Sequence, residues 1–177
     1  MSVRTVRRRA QRPDRGASVV EFALLAPVLF LILFGIIDYG IWFADSISAR
    51  QAVRDGARRG VVESFGPCKA KAGGSETELL ACSVREAMEP ISGQVAVKVS
   101  VATAPGAGGG APWAVGGTLR VCALSKHSAL MPLVPFPSNG ISFTKVEMPI
   151  EQLTPGAPSR GTFEDPAPAG STWSQCP

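Results

Sequence analysis

Residues 15–37 read RGASVVEFALLAPVLFLILFGII, and this stretch decides the architecture of the chain. No charged residue occurs between Phe22 and Ile37. With its weakly polar flanks the segment covers residues 17–44, and as a helix it would be about 40 Å long, which is enough to cross a bilayer. A cleaved secretory signal would have a shorter apolar core and a small-x-small cleavage site, which does not stand out here. The sequence therefore predicts a transmembrane helix over residues 17–44.

A basic head, residues 1–16, precedes this helix. The chain has 18 basic and 14 acidic side chains, and outside the head it is close to neutral, with 12 and 13. A nucleic-acid-binding arm would accompany a binding fold, and none is visible, so no nucleic-acid partner is predicted. A basic flank next to a membrane segment instead indicates a cytoplasmic leader at the anionic bilayer surface and an extracytoplasmic remainder. The charges of the head are Arg4, Arg7, Arg8, Arg9, Arg12, Arg15 and Asp14.

One carboxylate, Glu21, lies at the start of the apolar segment, where a charge is costly and needs an explanation. The simplest explanation is that the helix dipole favours an anion near the amino terminus. The order of residues is more specific: a basic head, Gly16, the small Ala17, and then Glu21 five residues past the glycine. This arrangement resembles the processing site of type IV pilin-like proteins. It resembles most of all that of the TadE-like minor pseudopilins of the tight-adherence (Tad, Flp pilus) system.

The resemblance implies a processing event and a set of partners. A membrane prepilin peptidase would cut after Gly16, making Ala17 the new amino terminus where many pilins have phenylalanine. Glu21 would then pair with the α-amine of a neighbouring subunit and fix its axial register, since pairing offsets the cost of burying two charges. The implied partners are the prepilin peptidase, the inner-membrane assembly platform, other minor pseudopilins and the major Flp pilin. The implied function is pilus assembly, by priming or capping the fibre, and adherence.

The helix is predicted to continue beyond the membrane over residues 45–64, which contain no proline. Arg50, Arg54 and Arg58 share one face there, and exposed charges of this kind are usually solvated. TadE-like proteins have a similar stretch. A stripe of small residues would pack closely against either another helix or the chain's own head. The stripe consists of Ala49, Ala52, Val53, Gly56, Ala57 and Gly60.

Polar and aromatic residues lie where the helix would leave the bilayer. Asp38 is expected to reach headgroups and water at this boundary. Tyr39, Trp42 and Phe43 are expected to form an aromatic belt at the outer interface. These residues are interpreted as interfacial anchors.

Residues 65–153 are predicted to form a small extracytoplasmic α+β head. Ser75 opens a capping box, which starts a helix from Glu76 to Glu89. The alternating Val95, Val97, Val99 and Val101 predict a strand, and strands are also predicted over 118–124 and 141–148. The expected fold is a long helix with about three antiparallel strands and one or two further helices, the general plan of pilin-like subunits. Residues 154–177, rich in proline, glycine, alanine and serine, are predicted to be a flexible tail.

Four cysteines, Cys68, Cys82, Cys122 and Cys176, follow the membrane segment and would face an oxidising compartment. Of the three possible connectivities, Cys68–Cys82 is preferred because it would tie a loop to the following helix; Cys122–Cys176 would then attach the tail to the sheet. No metal or cofactor is predicted, because there is no CxxC pair and His127 is the only histidine. An enzyme is not predicted either, since no catalytic motif accompanies that histidine.

Two other classes of protein remain open. A membrane-anchored extracytoplasmic binding module with an uncleaved signal anchor would keep its arginine head. The pilin interpretation predicts a mature chain that begins at Ala17. A secreted soluble domain would require cleavage beyond Phe43 and loss of the membrane segment.

Overall fold

The computed structural model describes residues 15–62, 68, 75–89, 91–102, 116–129, 135–151 and 161–176. Two α-helices precede a four-stranded sheet in the chain. Most of the predicted leader, and the part of the predicted head at 103–115, lie outside the described residues. The helices are α1 (Arg15–Val61) and α2 (Glu76–Ala87), the strands are β1 (Gln94–Ala102), β2 (Thr118–Lys126), β3 (Ile141–Pro149) and β4 (Phe163–Glu164), and a 3₁₀ turn covers Pro137–Gly140.

Helix α1 runs without a break through the apolar segment and into the head. Its 47 residues correspond to a rod about 70 Å long at the helical rise. Pro27 lies inside it and removes one backbone donor, yet the helix continues on both sides. Arg58 and Arg59 occupy the last turn, where positive charge suits the helix dipole. The predicted extension of the membrane helix into the head is confirmed.

Helix α2 begins where the capping box predicts. Ser75 is in an extended conformation, and its hydroxyl accepts a hydrogen bond from the backbone N–H of Glu78 at 3.3 Å. Its apolar face buries Leu80 and Val84 completely or nearly so. The helix ends at Ala87, two residues before the predicted end, and Met88 caps it.

The four strands form one antiparallel sheet in the order β3-β2-β1-β4. Both helices pack on the same face, α1 over β2 and β3 and α2 over β1. Between them and the sheet lies the main core, to which α1 contributes Val53 and the strands contribute Val97, Val99 and Val121. The predicted valine alternation therefore marks the face that meets the helices. The α+β fold is confirmed, with one strand more than predicted.

The fourth strand comes from the segment predicted to be a flexible tail, and here the structure differs from the prediction. Residues 161–176 pack across the sheet face opposite the helices, burying Trp173 and Cys176 against Ala96 and Leu124. Strand β2 is apolar on both faces, so this second face also needs a cover. A segment of mostly small residues provides that cover, and its sequence has no apolar periodicity from which this packing could be predicted.

Asp165 fixes this returning segment to the rest of the head. Its carboxylate accepts from the Arg85 guanidinium at 2.5 Å and from the backbone N–H of Val97 at 3.0 Å. Its backbone carbonyl accepts from the Trp173 indole N–H at 2.9 Å. One residue thus links α2, β1 and the end of the described chain.

Candidate functional site

The amino-terminal end of α1 stands clear of the head. Gly16 is exposed, and a Cβ built on it would meet no atom within 4 Å. Glu21, in the second turn, is also exposed, and no partner for it occurs in the part of the chain that the structure describes. Gly16, Ala17 and Glu21 are therefore all on helical backbone, with Glu21 free to interact with lipid or with another subunit.

The apolar segment of α1 is exposed all round. Leu24 and Leu25 are 73% and 68% exposed, and the large apolar side chains from Val28 to Ile36 are 38–66% exposed. The most apolar stretch buries nothing against the rest of the described chain, and it is long enough to cross a membrane. Apolar surface of this extent is unfavourable in water, so the arrangement fits a single-pass membrane protein.

Asp38, at the head-side end of the apolar segment, is fully buried, which contradicts the expectation that it meets headgroups and water. The head covers it, and its Oδ1 lies 4.0 Å from Nε2 of His127. Two turns later on α1, Asp45 Oδ2 lies 3.6 Å from Nδ1 of the same imidazole. Ser92 Oγ donates to Asp45 Oδ2 at 2.5 Å. We call Asp38, Asp45, Ser92 and His127 the junction cluster.

Aromatic rings surround the junction cluster, and two of them were expected only to anchor the helix in the interface. The hydroxyl of Tyr39 donates to the backbone carbonyl of Pro135 at 2.6 Å. The ring of Phe136 lies 5.0 Å from that of Tyr39, 6.4 Å from that of Trp42 and 5.1 Å from His127, measured between centroids. These contacts attach the segment before β3 to α1.

The small-residue stripe of α1 packs against the chain's own head, which decides between the two alternatives left open by the sequence. Ala49, Ala52, Val53 and Ala57 are buried in the main core. At Gly56 the helices approach so closely that a Cβ would collide with Cγ2 of Val84 on α2. The stripe is therefore the surface on which the head packs, and it is not free to contact another subunit.

The arginine face of α1 remains exposed, as expected. Arg50 and Arg54 border a groove whose other side is formed by β3 from Phe143 to Val146. Lys145 lies in the same groove. This surface is positively charged and lies at the open edge of the sheet.

A charged trio crosses the exposed side of β2 and β3. Glu147 Oε1 accepts from Arg120 Nε at 2.7 Å and lies 3.2 Å from Lys145 Nζ. Two hydrogen bonds hold the pKa of Glu147 below its ordinary value; the one from Arg120 has the larger effect and the one from Lys145 the smaller. A lowered carboxylate pKa stabilises the fold at pH above about 4.3, and this contribution is lost as pH falls through the folded-state pKa.

Replacing Glu147 by glutamine should therefore destabilise the head slightly at pH 7. The loss should stay below about 1 kcal/mol, because the group is exposed and solvent screens the pair. It should be smaller near pH 3, because the contribution is lost as the pH falls through the lowered pKa of Glu147. Chemical denaturation at the two pH values measures it, with the exposed Glu89→Gln as the control. An equal loss for E147Q at both pH values would contradict the charge-based explanation.

All four cysteines are paired in the structure, Cys68 with Cys82 and Cys122 with Cys176. These are the pairs that the sequence analysis prefers. Cys68, Cys82 and Glu86 lie close enough together to suit a metal ion. The two sulfurs are bonded to each other, however, so they provide no thiolate ligand.

The fold and the exposed helix together define a class: a protein with one membrane-spanning helix that continues into a disulfide-bonded α+β head. The family model described as TadE-like protein matches residues 16–58. This confirms the resemblance seen in the sequence and indicates involvement in the Tad pilus system. The match covers nearly all of α1, including Gly16, Glu21 and both aspartates of the junction cluster. No curated protein and no solved structure matches the chain.

Proposed function

We propose that the protein is a minor pseudopilin that takes part in assembly of the Tad (Flp) pilus, as a structural component and not as an enzyme. Residues 1–16 form a cytoplasmic leader, 17–44 contain the apolar stretch that crosses the cytoplasmic membrane and end against the head, and 45–64 carry the helix into an extracytoplasmic head, residues 65–153. Within the predicted tail, residues 161–176 complete the head on the sheet face opposite the helices. The observation that carries the proposal is the family match over 16–58. The position of Gly16 and Glu21 at the start of a helix with exposed apolar side chains supports it.

In this proposal a prepilin peptidase cuts after Gly16 and leaves an α-amine on Ala17. The exposed position of Gly16 supports access of a protease to this point. The new amine and the carboxylate of Glu21 lie about one helical turn apart at the same exposed end of α1, and in this proposal each meets the opposite charge of a neighbouring subunit. In the low-dielectric layer an amine and a carboxylate of neighbouring subunits attract strongly and offset each other's desolvation.

The proposed partners follow from this mechanism. The peptidase and the inner-membrane assembly platform act on the membrane segment. Other minor pseudopilins and the major Flp pilin contact it through its exposed apolar surface, after it leaves the lipid. The head then primes or caps the fibre.

The first test concerns the mature amino terminus. Protein extracted from membranes of the producing cell and analysed by intact mass should begin at Ala17. A Gly16→Leu variant should not be cut and should keep the basic residues 1–16. Because nothing described lies within 4 Å of a Cβ at position 16, the substitution leaves the fold intact. Recovery of wild-type protein with residues 1–16 still attached would favour a membrane-anchored binding module with an uncleaved anchor.

The second test concerns Glu21. Glu21→Gln keeps the shape of the side chain and removes its charge, and the exposed position means that the isolated subunit is unaffected. Breaking a pair of buried opposite charges typically costs about 3–5 kcal/mol, so surface pili and adherence should fall by about tenfold or more. The control is Glu86→Gln, at an exposed position of α2. Normal piliation of E21Q, with processing at Gly16 intact, would refute the register role while leaving the processing claim standing.

A further inference from the structure

One edge of the sheet is open in the part of the chain that the structure describes. Strand β3 stands at the end of the order β3-β2-β1-β4, and it pairs with β2 along its whole length of nine residues. Because hydrogen bonding alternates along an antiparallel strand, every second residue of β3 directs its backbone groups away from β2. An edge of this kind can accept a further strand.

A basic groove of about 280 Å³ runs along this edge. Arg50 and Arg54 of α1 border it on one side, and residues 143–146 of β3 border it on the other. Both arginines are exposed, and among the described residues neither has an ion pair. Pockets that hold small molecules usually measure about 300–1,000 Å³, so this groove suits the side chains of a partner better than a free ligand.

Helix α1 and strand β3 run side by side in the same direction. Near the start of both, the ring centroids of Tyr39 and Phe136 are 5.0 Å apart. Near the end of both, Gly60 lies against the side chain of Leu119, and Leu119 pairs with Met148 of β3. The groove between them therefore follows the direction of the strand.

The spacing of the two arginines matches that of a strand. Residues four apart on a helix, such as Arg50 and Arg54, are separated by about 6 Å along its axis. Side chains on one face of a strand repeat at about 6.6 Å. A strand added to β3 would therefore place alternate side chains beside the two arginines. Asp55 follows Arg54 in the sequence, but it is about 100° further round the helix and does not line the groove.

The groove also lies outside the membrane. The apolar stretch ends at Ile37, and about 20 Å of helix separates Ile37 from Arg50. The headgroup layer extends only about 5–8 Å beyond the hydrocarbon core. Attraction to its charges decays over about 8–10 Å at moderate ionic strength. Lipid headgroups therefore do not account for this basic surface.

The chain itself does not supply a suitable occupant. After residue 62, the positions outside the described ranges include one acidic residue, Glu63. A second copy does not fit either, because antiparallel pairing of two β3 strands would turn one α1 upside down relative to the other in the same membrane. Such pairing would also bring a second set of the same arginines to the interface, where like charges repel.

We propose that the open edge of β3 and the two arginines of α1 form a docking site for an extended acidic segment of another extracytoplasmic protein. The segment adds a strand to the sheet, and its backbone pairs with the outward backbone groups of β3. Its acidic side chains, at every second position, pair with Arg50 and Arg54. Lys145 and Pro149 limit indiscriminate pairing, since a charge and a missing N–H disfavour other strands at an edge. The inference goes beyond the proposed role in the pilus and does not depend on it.

The experiment uses the full-length protein in nanodiscs of neutral lipid and three short synthetic peptides. The first alternates glutamate and valine, so that as a strand it has its acidic side chains on one face. The second has glutamine in place of each glutamate. The third keeps the glutamates and has proline, which lacks the N–H, in place of each valine. Calorimetric titration should show binding of the first peptide and about tenfold weaker binding of the other two, and hydrogen exchange should show new protection at alternate amides of β3.

Two double variants locate the charges that matter. Arg50→Gln/Arg54→Gln should weaken binding of the first peptide by about tenfold, because each exposed ion pair contributes up to about 1 kcal/mol. Arg58→Gln/Arg59→Gln removes the same charge from exposed positions of α1 outside the groove and should bind like the wild type. All four positions are exposed, so the fold should be retained.

Several results would overturn the proposal. It is wrong if the wild-type protein binds none of the peptides or binds all three equally. It is also wrong if the two double variants weaken binding to the same extent, or if binding leaves the exchange of β3 unchanged. Nanodiscs of anionic lipid provide the last check: if they abolish peptide binding, the arginines face the membrane surface and not a protein partner.

Discussion

Removing the disulfide between Cys122 and Cys176 is expected to lower the free energy of unfolding of the head by about 4 kcal/mol. The bond closes a loop with a sequence separation of 54 residues, and that loop contains β3 and β4. Without it, the unfolded chain gains the entropy of the open loop. The segment around Trp173 would also lose its covalent attachment to the centre of the sheet.

The measurement is reversible chemical unfolding of the Cys122→Ala/Cys176→Ala protein in detergent, followed by a spectroscopic signal of the head. The matched control is Cys68→Ala/Cys82→Ala, whose separation of 14 residues predicts a smaller loss of about 3 kcal/mol. Hydrogen exchange should show selective loss of protection at Phe163 and Glu164 in the first variant. A larger loss for the control pair would contradict this order.

Replacing Gly56 by alanine is expected to destabilise the head by about 1–3 kcal/mol, the usual cost of overpacking a core. In a helix, alanine is normally better than glycine by about 1 kcal/mol, so the predicted sign is reversed. The reason is the contact between α1 and α2: the new methyl group would overlap Cγ2 of Val84, a stiff side chain that is 1% exposed. Relief requires the two helices to move apart.

Gly40 is the control for this substitution. It lies on the same helix, and a Cβ there would meet nothing within 4 Å. Gly40→Ala should therefore leave stability unchanged or raise it slightly. The two variants are compared by unfolding under identical conditions. If both variants change stability in the same direction, the close approach of α1 and α2 at Gly56 does not explain the effect of the Gly56→Ala substitution.

Residue patterns predict most of this fold because its main elements have local signatures. The apolar run and the absence of proline after Asp45 define α1, and Ser75 with Glu78 defines the start of α2. Alternating apolar residues in β1 identify the face that packs on the helices, since a strand exposes every second residue to the same side. These signals act over a few residues and can be read without knowledge of the rest of the chain.

The returning segment and the junction cluster have no such signature. Trp173 and Cys176 cover the second face of the sheet from a stretch whose small residues and prolines are typical of a mobile tail. Asp38 and His127 are far apart in the chain, and a lone acid at the end of a membrane segment is equally compatible with an interfacial position. One signal was available: a carboxylate at membrane depth is costly, so Asp38 required a partner.

The unbroken course of α1 has a mechanical consequence. The same helix, about 70 Å long, includes both the lipid-embedded surface and the small-residue stripe on which the head packs. No hinge separates the two, and Pro27 lies well within the apolar part. An axial pull on the lipid-embedded end is therefore delivered directly to the base of the head, which must travel by the same distance as the helix.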